Sequence, residues 1–358
     1  MTGRTVGATR LVTGGVDTHK DVHVAAALDE IGRLLGTASF PTTTAGYQAM
    51  LGWMSSFGPI VQVGVEGTGS WGAGLSRFLN DAGVSVVEVC RPDRQARRFN
   101  GKSDPIDAEA AAFAALSGRA RVVPKSGDGP VEAIRMLSSC RQSAVKAKFA
   151  CWNQLLSTID SAPDLVRERF RDLTEMALIR RALLSRPGEN LEDPAVSAVF
   201  TIRELARRWR FLDHQISELD SELDVAVATA APNLLDVFGV GTHTAAVLLM
   251  CAGDNPERLR SEGAFAALCG VTPVQASSGK TIRHRLNRGG NRHANSALWR
   301  IAMTRLSHED RTKAYMAKRT SEGLSKREVI RCLKRAIARE IYPVILADLA
   351  RHNISLAA

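Results

Sequence analysis

The first 120 residues alternate short apolar runs with amphipathic stretches, and this order restricts the folds open to the chain. Three strand-like runs occupy residues 10–40, a helical stretch follows, and two further strand–helix pairs complete the region. Strands that alternate with helices are typical of an α/β sheet with helices packed on its faces. The sequence therefore predicts a β-β-β-α-β-α-β-α domain over residues 10–122.

Four acidic residues lie within or at the ends of these elements. Asp17 lies within the first strand, Glu66 ends the fourth, and Asp104 and Asp107 open an Ala-rich helix. Pro105 suits the first helical position, which puts Asp104 at the N-cap and Asp107 on the same side of the helix. Plain capping also explains an acid at a helix start, and a strand-end turn also explains Asp17.

The carboxyl ends of parallel strands share one edge of an open sheet, where ligands usually bind. The four acids can therefore converge, and four carboxylates in one place repel each other unless cations neutralise them. Oxygen ligands at an accessible edge suit Mg²⁺ or Mn²⁺ better than Zn²⁺. This combination of acids and strand order resembles the RNase H-like (RuvC-like) fold of Holliday-junction resolvases.

A polar stretch with two Pro and two Gly over residues 122–130 marks a domain boundary. Residues 131–230 then read as helices, interrupted at Pro163 and at Pro187. One helix carries apolar residues spaced alternately three and four apart: Ile202, Leu205, Trp209, Leu212, Ile216, Leu219, Leu223 and Ala226. This seam predicts a coiled coil, either antiparallel or between copies, or a helix that packs within its own domain.

The following region combines a Gly-rich turn with a basic stretch. Gly239-Val240-Gly241 between two helical runs predicts a helix-hairpin-helix, whose turn either contacts a nucleic-acid backbone or serves plain packing. Residues 270–300 have few large apolar side chains and many cations: Lys280, Arg283, His284, Arg285, Arg288, Arg292, His293 and Arg300. Such density predicts a phosphate-binding loop. A later helix adds either a basic stripe or a solvated face: Lys326, Arg327, Arg331, Lys334, Arg335 and Arg339.

Composition narrows the class of protein further. The 358 residues allow two or three domains, and a net charge of +10 with a pI of about 9.6 favours a polyanionic partner, nucleic acid first. We expect no membrane span, because the longest apolar runs are too short, and no signal peptide at the N-terminus. Six scattered cysteines without a C-x-x-C pair indicate free thiols in a reducing cytoplasm.

Several motifs in order resemble one known family. GVDTHK, VEGTG, KSDPIDA, GVGTHTAAVLL, and GVTP followed by SSG and LNRGGN are similar to the DEDD-type insertion-sequence transposases. These are serine recombinases guided by a structured bridge RNA, and the pilin-gene invertases are relatives. The resemblance covers residues 12–345. It implies an RNase H-like domain over 10–122, a helical coiled-coil region over 130–231, and a C-terminal transposase domain over 232–345.

The resemblance also implies roles for individual residues. The acids Asp17, Glu66, Asp104 and Asp107 match the set that binds Mg²⁺ in this family. Ser278 matches the nucleophilic serine, with Ser277 as the neighbouring alternative. The phosphate-binding residues expected beside it are Lys280, Arg283, Arg285, Arg288 and Arg292. The chain departs from the family at Asn295, where many relatives carry Arg, so the phosphate contact at that position stays open.

The implied activity is the cutting and rejoining of DNA through a covalent phosphoserine, with donor DNA, target DNA and a non-coding guide RNA as partners. Assembly from dimer to tetramer and a nucleoid-associated place in the bacterial cytoplasm are also implied. Two alternatives stay open. In a two-metal nuclease or junction resolvase the acids activate water, so no covalent intermediate forms. A non-catalytic nucleic-acid-binding protein would bind without cleaving.

Overall fold

The computed structural model describes residues 10–89, 103–277, 284–285 and 287–356. Ser278, Lys280 and Arg283 therefore lie outside the described residues. Contacts divide the chain into two compact units. The first joins the residues up to Glu132 with Cys251–Gly289, and the second joins Ala133–Met250 with the residues from Gly290 onward.

The first unit is built on a five-stranded mixed sheet. Its strands are β1 (Val12–Thr18), β2 (Val22–Leu28), β3 (Leu34–Pro41), β4 (Ile60–Glu66) and β5 (Val86–Val89). Its first helices are α1 (Thr44–Ser55), α2 (Ala73–Asp81) and α3 (Asp104–Leu116). The strand order is β3-β2-β1-β4-β5, in which β1 pairs antiparallel with β2 and parallel with β4. Among the described residues the elements follow the predicted order, and the mixed sheet is consistent with an RNase H-like domain.

The two faces of the sheet are covered in different ways. On one face, valines of β1, β4 and β5 pack against the fully buried Met50 and Met54 of α1 and Leu75 and Leu79 of α2. On the other face lies the Ala-rich α3, whose buried positions are Ala108, Ala111, Ala112 and Ala115. Small side chains on α3 let the helix backbone approach the strands directly.

A later segment completes this unit. It contains a 3₁₀ turn (Pro256–Arg258), then α10 (Glu262–Leu268), β6 (Val274–Gln275) and β7 (His284–Arg285). Asp254 accepts hydrogen bonds from the backbone N–H groups of Val131 (2.7 Å) and Glu132 (3.2 Å), which open the long helix α4 (Pro130–Asp160). Asp254 thereby caps that helix from a distant part of the chain.

The second unit is helical. Its elements are α4 (Pro130–Asp160), α5 (Asp164–Phe170), α6 (Glu175–Leu184), α7 (Pro194–Ala230), α8 (Pro232–Leu235), α9 (Thr242–Ala252), α11 (Arg292–His308), α12 (Asp310–Ser321) and α13 (Lys326–Leu356), some of which begin or end at the border with the first unit. The helical region and its break near Pro163 are confirmed. Within the part of the chain that the structure describes, no helix is long and apolar enough to cross a membrane.

The predicted seam on α7 is packed within its own chain over its first turns. Ile202, Leu205, Trp209 and Leu212 are buried in one cluster with apolar residues of α4, α5 and α6. Two ion pairs fix α4 and α7 side by side in opposite directions: Arg141 with Asp220, and Lys148 with Asp213. Of the alternatives, intrachain packing accounts for this half of the seam.

The Gly-rich turn joins a single helical turn, α8, to α9. Gly239 adopts a φ of +86°, and its turn packs on α11, because a Cβ at Gly239 would meet Ile301 and Arg305 at 3.4 Å. Arg305 also donates to the Phe238 carbonyl (2.9 Å). This face of the predicted hairpin is therefore used for packing.

The basic helix α13 is not uniformly solvated. Lys334 is buried, and its ammonium donates to Asn295 Oδ1 at 2.8 Å. The solvated-face interpretation is wrong at Lys334, because the helix turns this side chain toward α11. Asn295 accordingly accepts a hydrogen bond from a lysine of its own chain.

Candidate metal centre

Asp17 reaches the carboxyl end of the sheet through β1. In a strand, residues two apart lie on the same face, so Asp17 shares its face with Gly15. A Cβ at Gly15 would stand 2.1 Å from the Ala112 nitrogen and 2.3 Å from the Ala108 oxygen, which shows how closely α3 lies on this face. Asp17 therefore emerges beside the start of α3.

Glu66 is placed by the same geometry on the neighbouring parallel strand. Val16 pairs with Val65, so Asp17 and Glu66 follow paired residues. Gly64, two residues before Glu66, approaches α3 as well, because a Cβ there would stand 2.6 Å from the Ala111 oxygen. The Thr18 hydroxyl donates to the Glu66 carbonyl at 2.8 Å and ties the two strand ends together.

Asp104 and Asp107 come from the first turn of α3. Ser103, not Asp104, is the N-cap: its backbone is extended (φ −148°, ψ 150°), and its carbonyl accepts from Asp107 N–H at 3.0 Å. The predicted capping role of Asp104 is therefore wrong by one residue, because Pro105 is compatible with the second helical position as well as the first. As a result Asp107 is buried, whereas the Asp104 side chain is half exposed.

His19 is a member of the site that the sequence reasoning missed. Its Nδ1 lies 3.6 Å from Asp17 Oδ2, and its Nε2 lies 4.0 Å from Asp104 Oδ1. One ligand atom from each of Asp17, His19 and Asp104 lies within 4.8 Å of the others. His19 follows directly on β1, so the signal was a histidine two residues after Asp17 at the carboxyl end of a strand, where ligands usually bind.

Burial and like charge dominate the electrostatics of this site. The pKa of Asp17 is raised from its ordinary 3.8 to about 6, mainly by burial; His19 lowers it, and the neighbouring Glu66, Asp107 and Asp104 contribute to the rise. Each of the other three predicted acids thus lies within electrostatic range of Asp17. The ligand atoms of Asp17 and Asp104 lie close together with His19, and Glu66 and Asp107 lie near enough for their charges to act on Asp17.

The donor set suits a divalent cation. Carboxylate oxygens on two strands and one helix provide the hard ligands that Mg²⁺ and Mn²⁺ prefer, and an imidazole is acceptable to Mn²⁺. A cation would also relieve the repulsion that raises the pKa of Asp17. The residues present therefore fit such an ion.

The predicted nucleic-acid residues are only partly described. Arg285 lies in β7 opposite Val274, and Arg285, Arg288 and Arg292 are exposed. Ser277 is exposed just after β6.

Comparison with models of known protein families identifies the family that this chain matches. A DEDD transposase model of IS110 type matches residues 14–162, which include the sheet and all four acids. A second model, described as transposase of the IS116/IS110/IS902 family, matches residues 231–317. The chain belongs to the IS110 family of DEDD transposases. An IS110-family transposase of an insertion sequence acts on DNA, in agreement with the predicted substrate.

Two curated relatives agree with this assignment. A transposase for insertion sequence element IS1328 from Yersinia enterocolitica is 28% identical to this IS110-family transposase over 242 residues, 66% of this chain and 69% of the relative. An uncharacterized 43.6 kDa protein of insertion element IS110 from Streptomyces coelicolor is 28% identical over 139 residues, 38% of this chain and 33% of the relative.

Proposed function

We propose that this IS110-family transposase cuts and rejoins DNA at a divalent-metal centre held by Asp17, Glu66, Asp104 and Asp107. The observation that carries the proposal is the grouping of Asp104 and His19 with the buried Asp17, whose pKa is raised by burial and, to a smaller extent, by the charges of the other three acids. A protein that only bound DNA would gain nothing from carboxylates grouped against a polyanion.

Mg²⁺ or Mn²⁺, when bound, supplies positive charge against the non-bridging oxygens of the scissile phosphate. Asp17 and Asp107 are buried and hold fixed positions, whereas the half-exposed Asp104 faces the side from which DNA can approach. His19 lies between Asp17 and Asp104 and can carry a proton at Nε2. The chain thus offers fixed anionic ligands and one proton carrier.

The nucleophile we propose is the Ser278 hydroxyl, on the strength of the family resemblance. Its Oγ forms a bond to phosphorus as the P–O3′ bond breaks, which leaves a phosphoserine and a free 3′-hydroxyl. The serine proton passes to a base, and the departing oxygen takes up a proton. A 3′-hydroxyl of another strand then reverses these steps, so rejoining needs no ATP. Exposed arginines such as Arg285 and Arg288 would contact phosphates bidentately.

The second candidate is hydrolysis at a metal-dependent nuclease site. There a water molecule attacks the phosphate in place of Ser278, and no covalent adduct forms. It is favoured by the acid cluster itself, which resembles the cluster of a junction resolvase. The guide RNA, the use of Mg²⁺ in particular and assembly from dimer to tetramer belong to the proposal through the family resemblance.

The deciding experiment incubates the purified full chain with DNA carrying the element ends, with and without RNA transcribed from the flanking sequence. We expect cleavage in Mg²⁺, none with EDTA, and a denaturation-resistant protein–DNA adduct that Ser278→Ala removes. An adduct lost in Ser277→Ala instead would move the nucleophile by one residue, and cleavage without any adduct would support hydrolysis.

Matched acid variants test the metal centre. Asp104→Asn should abolish cleavage and leave RNA binding intact. Asp164→Asn, at a highly exposed acid on α5, should cleave like the unaltered protein. Full activity of Asp104→Asn would remove this acid from the chemistry.

A further inference from the structure

A large aromatic side chain stands exposed beside the acids. Trp71 is 57% exposed, although burial of an indole normally stabilises a fold. Its ring stacks on the His19 imidazole, with centroids 6.2 Å apart and planes 17° apart. Because His19 also lies between Asp17 and Asp104, the indole and the acids belong to the same small surface.

The turn that carries Trp71 is held by its own backbone. Gly67 has a φ of +68°, and its carbonyl accepts hydrogen bonds from the N–H groups of Ser70 (2.9 Å) and Gly72 (3.1 Å). Gly72 is closely packed, since a Cβ there would stand 2.9 Å from the Glu66 oxygen. The turn follows directly on Glu66, so the indole is fixed in position relative to the acids.

A second apolar side chain borders the acids. Ile106, between Asp104 and Asp107 in the first turn of α3, is 38% exposed. An ion alone needs no apolar surface, whereas a nucleotide brings a base and a sugar with its phosphate. An exposed aromatic face next to a phosphate-cleaving centre therefore matches a nucleobase.

We propose that Trp71 stacks on a nucleobase of the DNA next to the scissile phosphate, with Ile106 against the adjoining sugar or base; this inference rests on the proposed function. Stacking on an aromatic face tolerates every base, because each has a π-face. A paired base inside a duplex hides that face, so the contact selects DNA with an unpaired nucleotide at the cut site.

The test uses the full chain in Mn²⁺ and two fluorescent DNAs that differ only in whether the nucleotide beside the cut site is unpaired. We expect Trp71→Ala to bind the unpaired DNA about 10-fold or more weakly. Binding of the fully paired DNA should change by less than about 3-fold, since its base faces are covered. Trp71→Phe, which keeps an aromatic face, should restore most of the affinity.

Controls separate stacking from loss of structure. Phe149→Ala removes an aromatic side chain that is 66% exposed on α4 and should bind both DNAs normally. The rise in melting temperature caused by Mn²⁺ should persist in Trp71→Ala. Equal loss of binding to both DNAs, or loss of the Mn²⁺-dependent rise in melting temperature, would each overturn the stacking role.

The proposed function fails in a different way. If the unaltered protein shows neither an Mn²⁺-dependent rise nor cleavage, the metal centre is wrong. Selective loss of binding to the unpaired DNA in Trp71→Ala can still be measured in that case.

Discussion

Gly15 lies so close to Ala112 that a Cβ on the glycine would stand 2.1 Å from the alanine nitrogen. The contact is between backbones, so no side chain can move aside to relieve it. This approach is what brings the first turn of α3, with Asp104 and Asp107, to the end of β1. The candidate metal centre therefore depends on a residue that carries no functional group.

Gly15→Ala should therefore displace α3 and separate the acids. We expect a loss of about 1–3 kcal/mol in the free energy of unfolding, as for other overpacked cores, together with loss of metal-dependent cleavage. Urea denaturation and the cleavage assay measure the two effects. Gly52→Ala is the control, because a Cβ at this helical glycine meets nothing within 4 Å and should stabilise α1 by up to about 1 kcal/mol. Normal stability of Gly15→Ala would contradict the packing argument.

Asp17 makes stability depend on pH in the metal-free protein. Its pKa is raised, so the folded chain binds this proton more tightly than the unfolded chain does. The resulting stabilisation is complete below about pH 3.8 and is lost as the pH rises through about 6. At pH 7.5 with EDTA, Asp17→Asn should be more stable than the unaltered protein by up to about 3 kcal/mol, from a shift of about two pKa units.

That gain should shrink on acidification toward pH 4, which urea titrations at several pH values would detect. Addition of Mn²⁺ at pH 7.5 should stabilise the unaltered protein and not Asp17→Asn. A destabilised Asp17→Asn in EDTA at pH 7.5 would contradict the electrostatic account.

His19 should raise the affinity of the site for Mn²⁺ relative to its affinity for Mg²⁺. Imidazole is a better ligand for Mn²⁺ than for Mg²⁺, and ligands or their supporting groups are typically worth about 10–100-fold in metal affinity. We expect His19→Gln to weaken Mn²⁺ binding more than Mg²⁺ binding in calorimetric titrations. His214→Gln removes an exposed histidine on α7 and should change neither. Equal weakening for both ions would assign His19 a structural role only.

Arg305 ties the helices of the second unit together. Its guanidinium binds Glu340 with two bonds of 2.8 Å and is almost fully buried. Glu340 is half exposed, so water can replace part of the lost interaction, and we expect Arg305→Ala to lose about 1.5–3 kcal/mol, the range for hydrogen bonds to charged groups. Arg305 lowers the pKa of Glu340, so this pair's contribution is present above about pH 4.5 and falls at lower pH. The difference in free energy of unfolding between the unaltered protein and Glu340→Gln should therefore shrink from pH 6 to pH 3, and a difference that stays constant would contradict this assignment.

Local sequence patterns were sufficient to predict the strands of the sheet and to select the candidate acids. Strand alternation and the turn glycines are short-range signals, so the runs around Asp17 and Glu66 predicted β1 and β4 closely. The convergence of acids followed from a general rule about parallel strands. The rule about acids at strand ends does not cover His19, a histidine that lies one residue beyond β1.

Other features depend on contacts that a periodic pattern does not contain. The seam at Ile202 and Trp209 indicated an apolar face but could not identify the elements that pack against it. These elements are α4, α5 and α6. The sequence pattern predicts a surface position for Lys334. Its burial is explained by the position of Asn295, which accepts its hydrogen bond. The cap of α4 by Asp254 joins residues more than 120 positions apart, beyond any local signal.

The intrachain cover of α7 limits how copies of this transposase could associate. Ile202, Leu205 and Trp209 already face apolar partners from the same polypeptide. A dimer that used these turns would first have to open the core of each subunit, so it would form by exchange of helices rather than by docking of finished surfaces. Any such assembly should therefore form slowly and depend on the rate of local unfolding.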